Sequence, residues 1–519
     1  MDVAKFCVLM VLLLSSSTAY SRSFSKSSKK HYNVVCYLGS WANYRQGDGK
    51  FVIEDIDPNL CTHLIYGFAK LGYDNKIAAY DPYLDLKENW GLGAYERFNN
   101  LKKKNSHLKT LLAIGGWNEG STKYSNMART ASSRKVFVDS CVEFLTKYGF
   151  DGLDMDWEYP ANRGGSQEDK KNFVLLLRDL KEAFDPRGLL LTAAVSAGES
   201  TIDSAYDIPA LAKYLDLINL MAYDFHGGWD TVTGHNAPLY PRSSESAANK
   251  KLNVDYAVKY WMKNGAPAHK LILGIPLYGR SFTLQSSTVT GFEAPVTGKG
   301  MAGEFTREPG MLGYNEICSL LKKEKGWKIV VDNDVQAPYC FKDRQWIGYD
   351  DIRSVPKKVD YLRKMKLGGA MVWSIETDDF RGKCHSFRYP LLTTINSVLN
   401  GTSVPLPDET GLEEDNDISP TRHSSSSSPR PSYPPVKSST KSSFSTTKST
   451  DGTSEDFLPC PSSGYFRHPT NCKLFYICQP KSPTKDMGYR VYLFHCGAGT
   501  VFNEEFRTCA FPDSVPKCS

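Results

Sequence analysis

Three shortages in this sequence each remove a class of function. Beyond the N-terminus no stretch approaches the ~20 consecutive apolar residues that a helix needs to cross a bilayer, so no membrane partner is expected. Basic charge is scarce wherever a fold could use it. The formal net charge is +6, but residues 21–30 hold four Lys/Arg and no acid, and residues 421–454 hold five against one Asp. What remains is slightly acidic, which argues against nucleic acid as a partner. Metal-type cysteine spacing is missing from the C-terminal cysteine cluster, which has no CxxC pair. A zinc site is therefore not expected, nor is any other metal or cofactor.

What is present points to export. Lys5 precedes the apolar run Phe6–Leu14 and the small residues Ser15–Ala19, the order of a signal peptide over residues 1–19. A basic segment, 20–30, follows. Of 13 Cys, Cys7 leaves with the signal, six lie between 36 and 384, and six crowd into 460–518. An even cluster of that density in a secreted chain reads as a disulfide framework. A secreted, extracellular, monomeric protein is expected. The 12% aromatic content suggests a large stacking surface.

Composition breaks once, sharply. From Thr421 to Ser454, 19 of 34 residues are Ser or Thr and four are Pro, the make-up of an extended, O-glycosylated linker. The acidic run Asp408–Asp417 precedes it, so the linker is set at 400–456. Asn400-Gly-Thr402 is an N-glycosylation sequon. A large domain thus covers 31–399 and a small cystine-rich β domain 457–519.

Inside the large domain, eight short apolar runs alternate with helical patterns: Val34–Leu38, Leu64–Phe68, Thr110–Ile114, Gly152–Trp157, Leu191–Val195, Leu217–Met221, Leu271–Ile275 and Gly369–Trp373. Phe173, Leu176, Leu177, Leu180 and Phe184 follow the helical period, and Asp185-Pro186 marks the stop. Strand and helix alternating eight times predicts an α/β fold, a (β/α)₈ TIM barrel. The interval between the seventh and eighth runs is too long for one crossover helix. It predicts an α+β insertion at about 282–345.

The fourth run carries the chemistry. It reads Asp151-Gly152-Leu153-Asp154-Met155-Asp156-Trp157-Glu158. Period two puts Asp154, Asp156 and Glu158 on one face and Leu153, Met155 and Trp157 on the other. The apolar face belongs against the helices and the acids in the lumen. Carboxylates ~7 Å apart along a strand interact, and at least one keeps its proton near neutral pH. Glu158, nearest the C-terminal mouth, is best placed as a general acid. A magnesium site is the competing use of such acids.

DGLDMDWEYP resembles the DxxDxDxE signature of glycoside hydrolase family 18, most closely its secreted arthropod-type chitinases. Leu111–Trp117 (LLAIGGW, with Ala113 where Ser is common), Met221–Asp224, Tyr278–Arg280 and Met371–Trp373 look like that family's third, sixth, seventh and eighth strand motifs. The resemblance implies retaining, substrate-assisted hydrolysis of β-1,4-linked N-acetylglucosamine, with chitin and chito-oligosaccharides as partners. Glu158 would protonate the glycosidic oxygen and the substrate's own acetamide would attack the anomeric carbon. Asp156 would hydrogen-bond the acetamido nitrogen, Asp154 would tune Asp156, and Tyr223 would hold the acetamido oxygen. Met221 and Asp224 would line the same pocket. Tyr37, Trp41, Phe68, Trp117, Trp229, Tyr278, Arg280 and Trp373 lie where the family lines its cleft.

By the same resemblance, Cys36–Cys61 and Cys318–Cys384 are disulfides, which leaves Cys141 and Cys340 without assigned partners; Cys141, in the apolar helical stretch of Val138, Phe144 and Leu145, reads as a buried thiol. The C-terminal domain resembles a peritrophin-A chitin-binding domain. That implies the pairs Cys460–Cys478, Cys472–Cys518 and Cys496–Cys509, with Phe475, Tyr476 and Phe511 as stacking residues. Two other functions compete with an endochitinase. One is a catalytically silent chitin-binding lectin or growth-factor-like relative, which typically loses the acid matched by Glu158. The other is an endo-β-N-acetylglucosaminidase acting on glycoproteins.

Overall fold

The eight apolar runs become eight parallel strands: Asn33–Gly39, His63–Leu71, Lys109–Gly115, Gly152–Asp156, Leu190–Ser196, Leu217–Met221, Leu271–Pro276 and Gly369–Trp373. Each pairs with its neighbour in the series, and the first pairs with both the second and the eighth, which closes the cylinder. A short strand, Ile77–Ala79, runs antiparallel to the second. These observations come from a computed structural model that describes residues 31–403, 464–469, 471–480, 489–496, 501–503 and 508–510. The expected signal segment and most of the expected linker lie outside the described residues. Among the described residues no helix is long and apolar enough to cross a membrane.

Two apolar clusters divide the barrel's inner and outer surfaces. Val35, Tyr37, Ile65, Leu111, Ala113 and Met371 fill the lumen. Leu153, Met155 and Trp157 belong instead to the large cluster between strands and helices. The helix Asp169–Phe184 buries the expected stripe, Phe173 to Phe184, against that shell. Gly188 ends the turn after it with a φ of 66°, a left-handed conformation that glycine adopts freely. Parallel strands covered this way are apolar on both faces, so a lumen carboxylate stands out.

The insertion is a six-stranded antiparallel sheet with one helix, Tyr314–Lys323. It runs from Tyr278 to Gly348, wider than the 282–345 expected. The chain leaves the barrel at Pro276, and Tyr278–Leu284 pairs at once with Met311–Gly313 and Gln345–Gly348. Tyr278 and Arg280 therefore belong to this second sheet rather than to the seventh barrel strand. Disulfides join Cys36 to Cys61 and Cys318 to Cys384. The second of these ties the insertion's helix to the loop after the eighth strand. Cys141 and Cys340 are buried thiols whose ionisation burial opposes. Asn400 is exposed at the end of the last helix, Pro390–Asn400.

The chain divides into two units, residues 1–421 and 422–519. In the second, Gly464–Arg467, Leu474–Pro480 and Tyr489–His495 form an antiparallel sheet, and Val501–Asn503 pairs with Thr508–Ala510. Tyr476 departs from expectation. It is only 3% exposed, with its ring 5.7 Å from that of Phe466, so it is part of the small core and offers no open face to a sugar. Phe475 is half-buried and stacks on Phe502 at 4.4 Å. Phe511 lies outside the described residues. Cys472, Cys478 and Cys496 are disulfide-bonded. The side chains of Cys460, Cys509 and Cys518, needed to complete the three pairs, lie outside the described residues.

Candidate active site

The fourth strand enters the site because Gly152 lets it lie close to its neighbour. A Cβ there would meet the Leu190 carbonyl oxygen at 2.3 Å. Alternation then sends Asp154 and Asp156 into the lumen, both buried, and leaves Glu158 half-buried just past the strand's end. The three acids sit in different surroundings. Asp154 accepts from Tyr37 Oη (2.7 Å), Thr192 Oγ1 (2.5 Å) and Asn219 Nδ2 (3.1 Å). Thr192 is its register partner on the fifth strand. Burial still raises the Asp154 carboxyl to about 6, against the pull of those three donors.

Asp156 has no such support. Its Oδ1 is buried without a hydrogen-bond partner among the described residues. Burial, then the charges of Glu158 and Asp154, hold its carboxyl well above the usual carboxylate range. Burial raises Glu158 to about 7, with the nearby Asp224 adding to the shift and Tyr159 and Arg163 opposing it. Three acids so placed cannot all be ionised at neutral pH, so the site stores at least one proton. A proton donor at the mouth beside an open acceptor suits acid catalysis on a substrate that carries an N–H.

The second wall comes from the sixth strand and the insertion. Tyr223 points its hydroxyl at Met371 Sδ (3.8 Å), with Met221 half-buried beside the same lumen cluster. Asp224 is not a free acid lining the pocket. Its carboxylate accepts from Tyr278 Oη (2.6 Å) and in a fork from Arg280 Nε and Nη2 (both 2.8 Å). The Arg280 guanidinium lies 5.2 Å from the Trp229 ring centre, and Trp229 is 58% exposed.

The floor is a run of touching rings. Trp41 stacks on Phe68 (6.2 Å, 14° between planes), and Trp373 lies 5.9 Å from Phe68, 6.1 Å from Trp41 and 5.6 Å from Tyr37. Trp41 and Trp117 are 45% and 59% exposed, which leaves faces open for a sugar's C–H surface. Tyr37 and Tyr278 correct the expectation of direct contact. At 1% and 2% exposure they offer no face, and they act instead by holding Asp154 and Asp224.

Four residues escaped the sequence reading. Thr192 and Asn219 fix Asp154, and only their inward parity on barrel strands could have marked them. Glu376, just after the eighth strand, is buried and accepts from Gly39 N (3.1 Å) and Ser374 Oγ (2.5 Å). Arg163 donates from a loop to the Glu158 carbonyl oxygen, and no periodicity marks it.

A closed parallel barrel with an acid ladder at the end of its fourth strand, and exposed indoles after its first and third strands, is an arrangement suited to a carbohydrate. The match to known proteins narrows this. Residues 33–378 match the model "Glycosyl hydrolases family 18" and residues 460–518 match "Chitin binding Peritrophin-A domain". The chain belongs to glycosyl hydrolase family 18 and carries a C-terminal peritrophin-A domain. It is 44% identical over 409 residues to "Probable chitinase 10" of Drosophila melanogaster, covering 75% of this chain and 18% of that protein. The Group IV chitinase of Ostrinia furnacalis, solved with allosamidin, is 46% identical, with a TM-score of 0.70 over 72% of this chain and 100% of its own. Human YKL-39, described as a pseudo-chitinase with retained chitooligosaccharide binding, is 43% identical, with a TM-score of 0.66 over 71% and 100%.

Proposed function

We propose that this chain is a secreted endochitinase that hydrolyses β-1,4 bonds between N-acetylglucosamine units with retention of configuration. The observation that carries this reading is the unpartnered Asp156 Oδ1, buried beside an Asp154 that accepts three hydrogen bonds and a Glu158 whose carboxyl burial raises to about 7. An acetamido N–H is a group that would complete it. In the proposed scheme Glu158 gives its proton to the glycosidic oxygen as the bond to the anomeric carbon breaks. The acetamide oxygen closes on that carbon, and Asp156 accepts the acetamido N–H and stabilises the resulting cation. Tyr223 donates to the acetamide oxygen. Water then attacks the anomeric carbon, gives a proton to the Glu158 carboxylate and restores the β-anomer.

The family's silent members bind sugar without cleaving it, so the fold alone does not decide turnover. Retention of Asp154, Asp156, Glu158 and Tyr223 favours the enzyme. Similarity to proteins named as chitinases and the peritrophin-A match favour chitin as substrate over a glycoprotein glycan. Proton NMR of the first minutes of chito-oligosaccharide hydrolysis tests the scheme. The β-anomer should appear first, and fully deacetylated chitosan should not be cleaved. Net inversion would mean direct attack by water and would remove the assigned roles of Asp156 and Tyr223.

A further inference from the structure

The loop between the acid strand and the next helix places one arginine with unusual care. Ala161 and Arg163 both hold left-handed backbone, with φ of 61° and 50°, a region that residues with side chains rarely adopt. Hydrogen bonds keep the loop there. Asp169 Oδ2 accepts from the amides of Ala161 (3.4 Å) and Ser166 (2.8 Å), and Asn162 Nδ2 donates to Pro160 O (2.8 Å) and Ser204 Oγ (3.0 Å). From this loop the Arg163 guanidinium reaches over Trp117, its Cζ 3.5 Å from the ring centre. Nη1 donates to the carbonyl oxygen of Glu158 (2.8 Å) and Nη2 to that of Trp117 (2.9 Å).

One planar group thus touches an exposed indole after the third strand and the backbone of the acid after the fourth. We infer that Arg163 is a positioning residue that clamps the sugar-stacking Trp117 and the Glu158 loop into one preorganised unit. The inference rests on the chitinase reading. A guanidinium suits this work because its flat fork can stack and donate twice at once, which an ammonium cannot. Preorganising a stacking face removes an ordering cost from each binding event.

The charge adds a second effect. Glu158 faces Asp156 at the end of the fourth strand, Tyr159 on its loop, Tyr206 beyond the fifth strand, and Tyr223 and Asp224 beyond the sixth. Arg163 supplies positive charge against that set and favours the ionised carboxylate.

Arg163→Gln and Arg163→Lys separate the two effects, assayed on hexa-N-acetylchitohexaose with thermal melting alongside. Arg163→Gln should raise KM roughly tenfold, the loss expected for two charge-assisted hydrogen bonds and a stacked cation, while kcat changes less than threefold. The alkaline limb of kcat/KM should move to higher pH. Arg163→Lys keeps the charge and should restore the limb, with KM still raised severalfold. An unmoved limb in Arg163→Gln, full rescue of KM by Lys, or a fall in kcat that tracks a lowered melting temperature would overturn the inference. Wild-type protein without turnover would count against the chitinase reading alone. Calorimetric binding of the same hexamer then tests the clamp, and equal affinity of wild type and Arg163→Gln would remove it.

Discussion

Asp154 and Asp156 stand two residues apart on one strand, yet one sits in finished structure and the other does not. Around Asp154, Tyr37, Thr192 and Asn219 meet the carboxylate's demands, and Leu111, Ala113 and Ile65 pack the lumen. At the mouth, Asp156 keeps an unpartnered oxygen, Glu158 lies past the strand's end, and three indoles lie open. A buried acceptor without a partner typically costs about 1–3 kcal/mol. The Asp154 carboxylate is satisfied and that of Asp156 is not, although Asn219 Oδ1 beside Asp154 is also buried without a partner among the described residues. Polar satisfaction, more than burial, separates the two.

The strongest attempt to break this contrast is Glu158→Gln, which keeps shape and removes the transferable proton. Turnover of chito-oligosaccharide should fall at least 10²–10⁴-fold, the usual worth of general acid catalysis, with calorimetric binding retained. More than a tenth of the wild-type rate would take Glu158 out of its role.

Asparagine at each of the paired positions comes next. Asp156→Asn should lower kcat about 100-fold, because an amide can neither take the negative charge that steadies the cation nor share a proton with its neighbours. Asp154→Asn should lower it only about tenfold, with about 1–2 kcal/mol lost from stability in urea titration, since its amide group meets a hydroxyl that now donates to a carboxylate. A larger kinetic loss at 154 than at 156 would erase the distinction between the two environments.

The contrast also marks how far the sequence could be read. The eight strands were legible because parallel strands are continuous apolar runs, and the acid ladder because charges inside such a run have no structural excuse. Period-two alternation placed Asp154 and Asp156 correctly without coordinates. It marks Thr192 and Asn219 only as inward-facing and not as partners of Asp154, since that depends on which strands adjoin the acid and at what register. Tyr278-Gly279-Arg280 follows the seventh strand after a single residue, and only its pairing partners show that the sheet has changed. Tyr476 misled for a related reason. In the run Leu474–Cys478 both strand faces are apolar or aromatic, so alternation does not tell core from surface. Arg163 depends on left-handed backbone at Ala161 and at itself, which no periodic pattern encodes.

A smaller test concerns the support around Asp154. Tyr37→Phe removes one donor while keeping the ring that packs on Trp373. Asp154 loses one of its three hydrogen bonds, so about 1 kcal/mol of stability should go, with kcat down less than tenfold. Kinetic loss as large as that of Asp156→Asn would mean that Tyr37 acts on the substrate directly.

The smallest expected effect is a gain. The folded-state Glu158 carboxyl sits at about 7, above the ordinary value of about 4.3, so between those limits the folded chain binds more protons than the unfolded one. Its contribution to stability is therefore complete below about pH 4 and is lost as pH rises through about 7. Glutamine in its place has no proton to lose. Glu158→Gln should melt with the wild type near pH 4 and a few degrees above it at pH 8, a difference bounded at about 4 kcal/mol by the size of the shift. The neighbouring acids trade protons with Glu158, so part of that gain will be taken up by Asp156. Melting curves at four pH values between 4 and 8 would trace the gap. A gap that is constant with pH, or that opens on the acid side, would mean that Glu158 is not held protonated by its surroundings. The mouth would then lose its stored proton, and with it the strongest physical difference from the lumen below.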